Sequence, residues 1–336
     1  MKKRMKNILK SMAVRLPLVG PIVRERDALR TVNEKLTTDL ARWRRGFVAP
    51  GHYYSPVVDI EYIRNVAGQL FAGLDKPILG IDLNENAQLG MLAQLEPYYA
   101  ELPFVEQATP GFRYYLDNDF YAFSDGICLY LLIRHIKPRR FVEVGSGFSS
   151  AAALDVNDKF FDGQINFTFI EPYPDRLQRL LTPSDRVRAN VRILEKVVQD
   201  VSIDTFESLE SGDILFIDSS HVAKTGSDLN HLLFNVLPVL KPGVYVHFHD
   251  IFFPFEYPRE WIYDGRSWNE LYLLRSFLQY NKEFEIVYFN TFLENRYGDR
   301  ISKTMPLCTK RPTKPLTIPG SIWIRRRTLH SNVAER

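Results

Sequence analysis

Five short apolar runs, each followed by a helical segment, dominate residues 141–249. The runs are Phe141–Val144, Asn166–Glu171, Val191–Glu195, Asp213–Asp218 and Val244–His249. Runs of four to six such residues suit strands buried on both faces, and strands that alternate with helices must form a mostly parallel sheet covered on both sides. The segment Ser227–Leu240 shows the helical partner clearly, with Leu229, Leu232, Leu233, Val236, Leu237 and Leu240 along one face. Further on, 268–280 reads as a helix, Phe284–Phe289 as a strand, Thr291–Pro319 as a loop region and Ser321–Arg325 as a final strand. The fold class is therefore α/β and Rossmann-like. Upstream, residues 84–102 read as a helix interrupted at Pro97. Residues 126–136 read as another, with Ser124 or Asp125 as its N-cap.

The first run passes straight into Gly145-Ser146-Gly147 and then into a helix beginning at Ser149. Glycines lack Cβ, so the chain can turn sharply there and a ligand can approach the backbone, while the helix presents unpaired N–H groups to the same space. A third glycine, expected at 150 in a dinucleotide fingerprint, is replaced by Ser150, and no Gly-Lys-Ser/Thr phosphate loop occurs. An adenosine ligand without a pyrophosphate fits this turn better than a nicotinamide dinucleotide does.

In parallel sheets ligands bind beyond the carboxyl ends of the strands. Here those ends carry Glu143, Glu171, Gln199-Asp200, Asp218 with His221 shortly after, and His249-Asp250. Glu171, 26 residues past Gly145, is placed to bond both hydroxyls of a ribose, and Gln199 or Asp200 to meet an adenine amino group. Two cysteines, Cys128 and Cys308, stand far apart, which fits a reducing compartment and excludes a disulfide framework or structural zinc site.

The net charge of +3 conceals an asymmetry. Residues 1–45 hold 13 Lys/Arg and 4 Asp/Glu, so the rest of the chain is at −6, and a nucleic-acid-binding body is not expected. Met5, Ile8, Leu9, Met12 and Leu16 share one helical face within this basic arm. That pattern suits peripheral contact of residues 1–20 with an anionic membrane surface, or a solvated or docked tail. Spanning takes roughly 20 apolar residues, and the longest apolar run, Leu16–Val23, is interrupted by Pro17, Gly20 and Pro21, so neither a transmembrane nor a signal segment is expected. Leu29, Val32, Leu36 and Leu40 then fall at helical spacing, as in a short coiled coil or docking helix.

Together, Glu143-x-Gly145-x-Gly147, Glu171, Gln199-Asp200, Asp218-Ser219-Ser220-His221, Lys241-Pro242-Gly243 and His247-Phe248-His249-Asp250 resemble the ordered motifs of class I S-adenosylmethionine-dependent methyltransferases. The likeness is to a bacterial branch, and is firmest over residues 120–260. It implies a seven-stranded sheet with an antiparallel last strand and S-adenosylmethionine as cofactor. It also implies Glu143, Gly145, Ser146 and Gly147 near the cofactor's amino-acid portion, Glu171 on ribose, Gln199 and Asp200 near adenine, and Asp218 in the cofactor site. The corresponding division is a basic arm at 1–45, an irregular and helical lead-in at 46–115, a methyltransferase domain at 116–328 and a tail at 329–336. The expected location is cytoplasmic, with peripheral contact at the inner membrane surface.

Methyl transfer needs an acceptor aligned in line with the sulfonium and relieved of its proton. His221 and His249 are the candidate bases, with Asp250 as orienting group. In metal-dependent O-methyltransferases the ligands come from the same two strand ends, which makes Asp218, His249 and Asp250 a candidate site for a divalent ion such as Mg²⁺. His249 departs from the all-oxygen pattern there and suits softer ions better. Ile251–Pro258, with Trp261, Trp268 and Asn269, would wall an acceptor pocket for a small molecule or glycan. A nicotinamide-dependent oxidoreductase and a non-catalytic module recruited by the basic arm remain as alternative readings.

Overall fold

The computed structural model describes residues 17, 19–43, 46–72, 77–314 and 317–328. Most of the basic stretch expected to touch membrane, and the tail from 329, lie outside them. Two compact units are present, Met1–Val66 and Ala67–Arg336. The first holds the helix Gly20–Trp43, and no helix among the described residues is long and apolar enough to cross a membrane.

The second unit is built on a seven-stranded sheet: β1 Arg140–Val144, β2 Asn166–Ile170, β3 Val191–Leu194, β4 Ile214–Ile217, β5 Tyr245–His249, β6 Phe284–Phe289 and β7 Ser321–Arg326. The spatial order is β3-β2-β1-β4-β5-β7-β6. β7 runs antiparallel to both β5 and β6, and the β3-to-β5 ladder is parallel throughout. Central β4 is wholly buried while the edge strand β3 is half exposed, as a sheet covered on both faces requires. One row of rings crosses five strands: Phe167–Phe141 at 5.5 Å between centroids, Phe141–Phe216 at 5.8 Å, Phe216–His247 at 3.9 Å and His247–Trp323 at 4.7 Å. Such pairs each add about 0.5–1.5 kcal/mol beyond the area they bury. His247 has no hydrogen-bond partner in this row, and burial holds it well below the usual imidazole range, so it is a neutral core ring.

Helices then cover the sheet. Glu85–Tyr99, with Pro97 in its last turn, is tied to β6 by Asn84 Nδ2 donating to the Ile286 carbonyl (3.0 Å) and the Phe289 N–H donating to Gln88 Oε1 (2.8 Å). Arg113 anchors the lead-in chain: its guanidinium pairs with Asp155 (2.7 Å) and Asp185 (2.6 Å), all three almost fully buried. Removing one partner of such a buried set costs about 3–5 kcal/mol. The helix read from Ser227 runs over 228–239, with its middle, Leu232–Val236, wound as a π turn.

Two expectations are corrected. Ser124 and Asp125 are not caps; they lie inside the helix Ser124–Ile136, behind Phe123 at φ 41°. Asp125 instead accepts from Asn290 Nδ2 (2.9 Å) and the Gly320 N–H (3.2 Å), a buried bond set that a capping residue at a solvated helix end would not make. The stretch read as a loop from Thr291 contains the helix Asn290–Thr304, kinked at Tyr297. Only Asn290, Phe292, Leu293 and Ile301 of it are buried, too few to produce a visible apolar stripe.

Candidate active site

The sheet order reverses between β1 and β4, and there the chain leaves room for a ligand. A cavity of about 490 Å³ is lined by Gly145 to Ser149, Glu171, Arg176, Asp218, Ser219, His221, His249 and Asp250. A second, of about 430 Å³, shares Gly145, Glu171, Asp218 and Ser219 with it and extends to Tyr173, Val197, Val198 and Gln199.

Gly145 sits at φ +84°, and a Cβ there would lie 1.7 Å from the carbonyl oxygen of Asp218. The glycine is thus demanded by the chain's own β4 end. Gly147 is extended, and a Cβ there would meet only the Arg176 side chain, Cδ at 3.1 Å. The Gly147 N–H donates to Ser150 Oγ (3.1 Å), whose hydroxyl donates on to Glu143 (2.6 Å), and Ser149 donates to the same carboxylate. Ser150, at the absent third glycine's position, is therefore the brace of the turn.

Glu143 does not reach the cavity wall. It is completely buried beneath the turn, and burial pushes its carboxyl up to about 8 against the two serine bonds. Glu143, expected near the cofactor's amino-acid portion, supports the turn from below through Ser149 and Ser150. Ser146 does face the cavity; its N–H donates to Glu171 (3.2 Å) and its hydroxyl has no partner. Glu171 also accepts from the Tyr173 N–H (2.9 Å) and lines both cavities. Gln199 lines the second; its Nε2 donates to the Gly226 carbonyl (2.8 Å), leaving a buried Oε1 with no partner. Asp200 is exposed and lines neither cavity.

Across the first cavity the ends of β4 and β5 bring the remaining residues together. His221 (φ +61°) and Asp250 (φ +57°) both adopt the left-handed backbone that non-glycine residues usually avoid. Such outliers cost about 1–3 kcal/mol and cluster where geometry is functional. The His221 carbonyl accepts from the Asn269 and Glu270 N–H groups (3.1 and 3.2 Å), joining its loop to the start of the helix Glu270–Leu278. That junction sets Glu270 Oε2 2.7 Å from His221 Nδ1. His221 Nε2 then faces Asp218 Oδ1 and Asp250 Oδ2, each at 3.4 Å, and the ring packs on Trp268 at 4.3 Å. His249 Nε2 faces Asp250 Oδ1 at 3.3 Å, and its Nδ1 has no partner.

Burial alone would depress His221, but Asp218, Glu270 and Asp250 carry it well above the usual imidazole range. His249 is raised too, with burial opposing and the carboxylates of Asp250, Asp218 and Asp125 prevailing. Burial works to raise Asp218, yet His249, His221 and Arg176 hold it below the ordinary carboxylate range. One donor atom each from Asp218, His221 and Asp250 lies within 4.8 Å of the others. The converging set contains His221, not the His249 expected from the pattern. A left-handed turn folds the later residue back over the strand end, and no spacing rule reveals that.

Glu270 and Arg176 escaped the sequence reading because neither follows a strand directly. Arg176 stacks its guanidinium 3.7 Å from the Phe120 ring centre at the cavity wall. Trp261 and Trp268 line the other side, with the Arg266 guanidinium 4.2 and 5.0 Å from their ring centres, whereas Ile251–Pro258 and Asn269, read with them as the wall, line neither cavity.

A sequence model of the family described as "Methyltransferase domain" matches residues 142–251, which span the glycine turn and every strand end just described. Residues 142–251 belong to this methyltransferase-domain family. An uncharacterized protein of Archaeoglobus fulgidus is 37% identical over 169 residues, 49% of this chain and 75% of that one. Among solved structures, this methyltransferase is similar to the S-adenosylhomocysteine-bound methyltransferase PaMTH1 of Podospora anserina (14% identity, TM-score 0.37, 84% of this chain and 99% of that one). It is likewise similar to the O-methyltransferase TomG of Streptomyces achromogenes, solved with S-adenosylmethionine (15%, 0.39, 78% and 96%).

Proposed function

We propose that this methyltransferase transfers the methyl group of S-adenosylmethionine to a hydroxyl oxygen of a saccharide or glycan-like acceptor. One observation carries the reading: an oriented imidazole, His221 on Glu270, stands against the indole of Trp268 in the same cavity as the glycine turn. An indole face suits the C–H face of a sugar ring. Nε2 of the deprotonated imidazole, a form the surrounding carboxylates push to higher pH, takes the hydroxyl proton as the oxygen attacks the sulfonium methyl. Glu270 fixes the Nδ1–H tautomer, and Asp218 and Asp250 balance the imidazolium that results. His249, held by Asp250, supports the same wall.

On the cofactor side, Glu171 takes the ribose hydroxyls. The unpartnered Gln199 Oε1 takes the adenine amino group, and Gly145, Ser146 and Gly147 receive the amino-acid tail at the helix start. The catalytic domain is assigned to residues 116–328, with 46–115 as lead-in. An acceptor screen with isotopically labelled cofactor tests the reading: label should enter surface polysaccharides or nucleotide sugars. Transfer confined to amines, or to phenols such as catechol, would refute it.

A second reading, a divalent cation, is favoured by the convergence of Asp218, His221 and Asp250. With Nδ1–H committed to Glu270, the Nε2 lone pair faces two carboxylates, an arrangement that needs a proton or a metal between them. Two carboxylates and an imidazole suit Mn²⁺, Fe²⁺ or Zn²⁺ better than Mg²⁺. Such an ion would supply charge that acidifies the acceptor hydroxyl. Metal analysis of the purified protein, and activity after exhaustive chelation, separate the two: full activity without metal leaves His221 as the base.

A further inference from the structure

The helix Gly20–Trp43 carries Ile22, Leu29, Val32, Leu36, Leu40 and Trp43 on one side, each 53–65% exposed. A helix of about 36 Å that leaves this much apolar surface in water is marginal, because tertiary packing of the apolar face normally supplies most of its stability. We propose that this face is covered by the same helix of a second copy, as a parallel two-stranded coiled coil, so that the methyltransferase is a dimer.

The heptad register supports that occupant. With Ile22, Leu29, Leu36 and Trp43 at the d positions, the a positions are Val19, Arg26, Asn33 and Leu40. Leucine at d with one central asparagine at a is the pattern that specifies two parallel strands, since paired amides satisfy each other only in that arrangement. The flanking g and e positions put Glu25 of one copy opposite Arg30 of the other, a pair of opposite charge. Arg30 is already braced by Glu34 at 3.0 Å along its own helix. Arg26, at an a position, can reach out along its aliphatic stem, and it is turned to Asp27 at 2.8 Å. The helix carries five basic and four acidic residues, so it lacks the cationic face that binding to an anionic membrane would use.

Sedimentation velocity of the full chain from about 1 to 100 µM tests this. The expected species is a dimer, twice the 39.1 kDa chain. Leu29→Glu with Leu36→Glu should give a monomer at about 10 µM that still binds S-adenosylmethionine, which shows that the catalytic unit is folded. Asn33→Leu should shift the population towards trimers. Asn33→Cys should cross-link under mild oxidant at least tenfold faster than Glu34→Cys on the outer face. A wild-type monomer at every concentration overturns the proposal, whether or not it sediments with vesicles of anionic lipid. So does a dimer indifferent to the two glutamates, or equal cross-linking at 33 and 34.

Discussion

Gly145→Ala separates two reasons for the glycine turn. If the glycine served only to admit a ligand, alanine would weaken cofactor binding and leave the free protein unchanged. The structure gives another cause. The new Cβ would lie 1.7 Å from the Asp218 carbonyl oxygen and 2.7 Å from its carbon, both backbone atoms, at φ +84°. The left-handed conformation costs about 1–2 kcal/mol for an L-residue. Relief of the overlap must part the ends of β1 and β4, straining the bond from the Asp218 N–H to the Val144 carbonyl (2.8 Å), and such overpacking costs about 1–3 kcal/mol. The sum, about 2–5 kcal/mol, corresponds to a fall in Tm of roughly 5–15 °C for a unit of this size. Differential scanning fluorimetry without cofactor is the assay, with Gly147→Ala as control. There the backbone is extended and the new Cβ meets only a flexible arginine, so Tm should shift by under about 2 °C. An apo Tm for Gly145→Ala equal to wild type would refute the reasoning.

Other outcomes follow from the same geometry. Glu143, buried and raised to about 8 from an ordinary 4.5, contributes stability that is fully present below 4.5 and is lost as pH rises through 8. Across pH 5–9 the wild-type Tm should therefore fall more steeply than that of Glu143→Gln, by the equivalent of about 3–5 kcal/mol; parallel curves would exclude the burial effect. Glu171→Ala should weaken S-adenosylmethionine binding by roughly 10- to 100-fold in calorimetry, the loss of one or two charged hydrogen bonds. Unchanged affinity would remove it from the ribose. Glu270→Gln should lower kcat by about 10²–10⁴-fold with little change in cofactor affinity, since it orients the proposed base. A loss in cofactor affinity with kcat preserved would place Glu270 in binding instead.

Much of this was written into local sequence because the period of a buried strand is short and its ends are marked. All seven strands lie where apolar runs stop at polar residues or glycines, and Ser321–Arg326 pairs antiparallel as the resemblance implied. Residues directly after a strand could be picked out for the same reason, and Glu171, Asp218, His221, His249 and Asp250 all line the cavity. Pleat geometry decided cases that composition could not. His247 and His249 lie two residues apart on one face of β5, yet one pleat deeper places His247 between Phe216 and Trp323, off the cavity wall that His249 lines. Glu143 carries the family motif but is turned down onto Ser149 and Ser150.

By itself, then, the sequence determined the layered parallel sheet, the glycine turn and the identity of the polar strand ends. Each follows from interactions between residues a few positions apart. Tertiary structure decided which of those ends meet. Glu270 comes to His221 across 49 residues because a helix start is fastened to the His221 carbonyl, and the left-handed residues His221 and Asp250 each bring a side-chain atom within 4.8 Å of Asp218. Those contacts depend on where distant elements pack, and burial of the whole group, not the chemistry of any one side chain, sets the charges it bears.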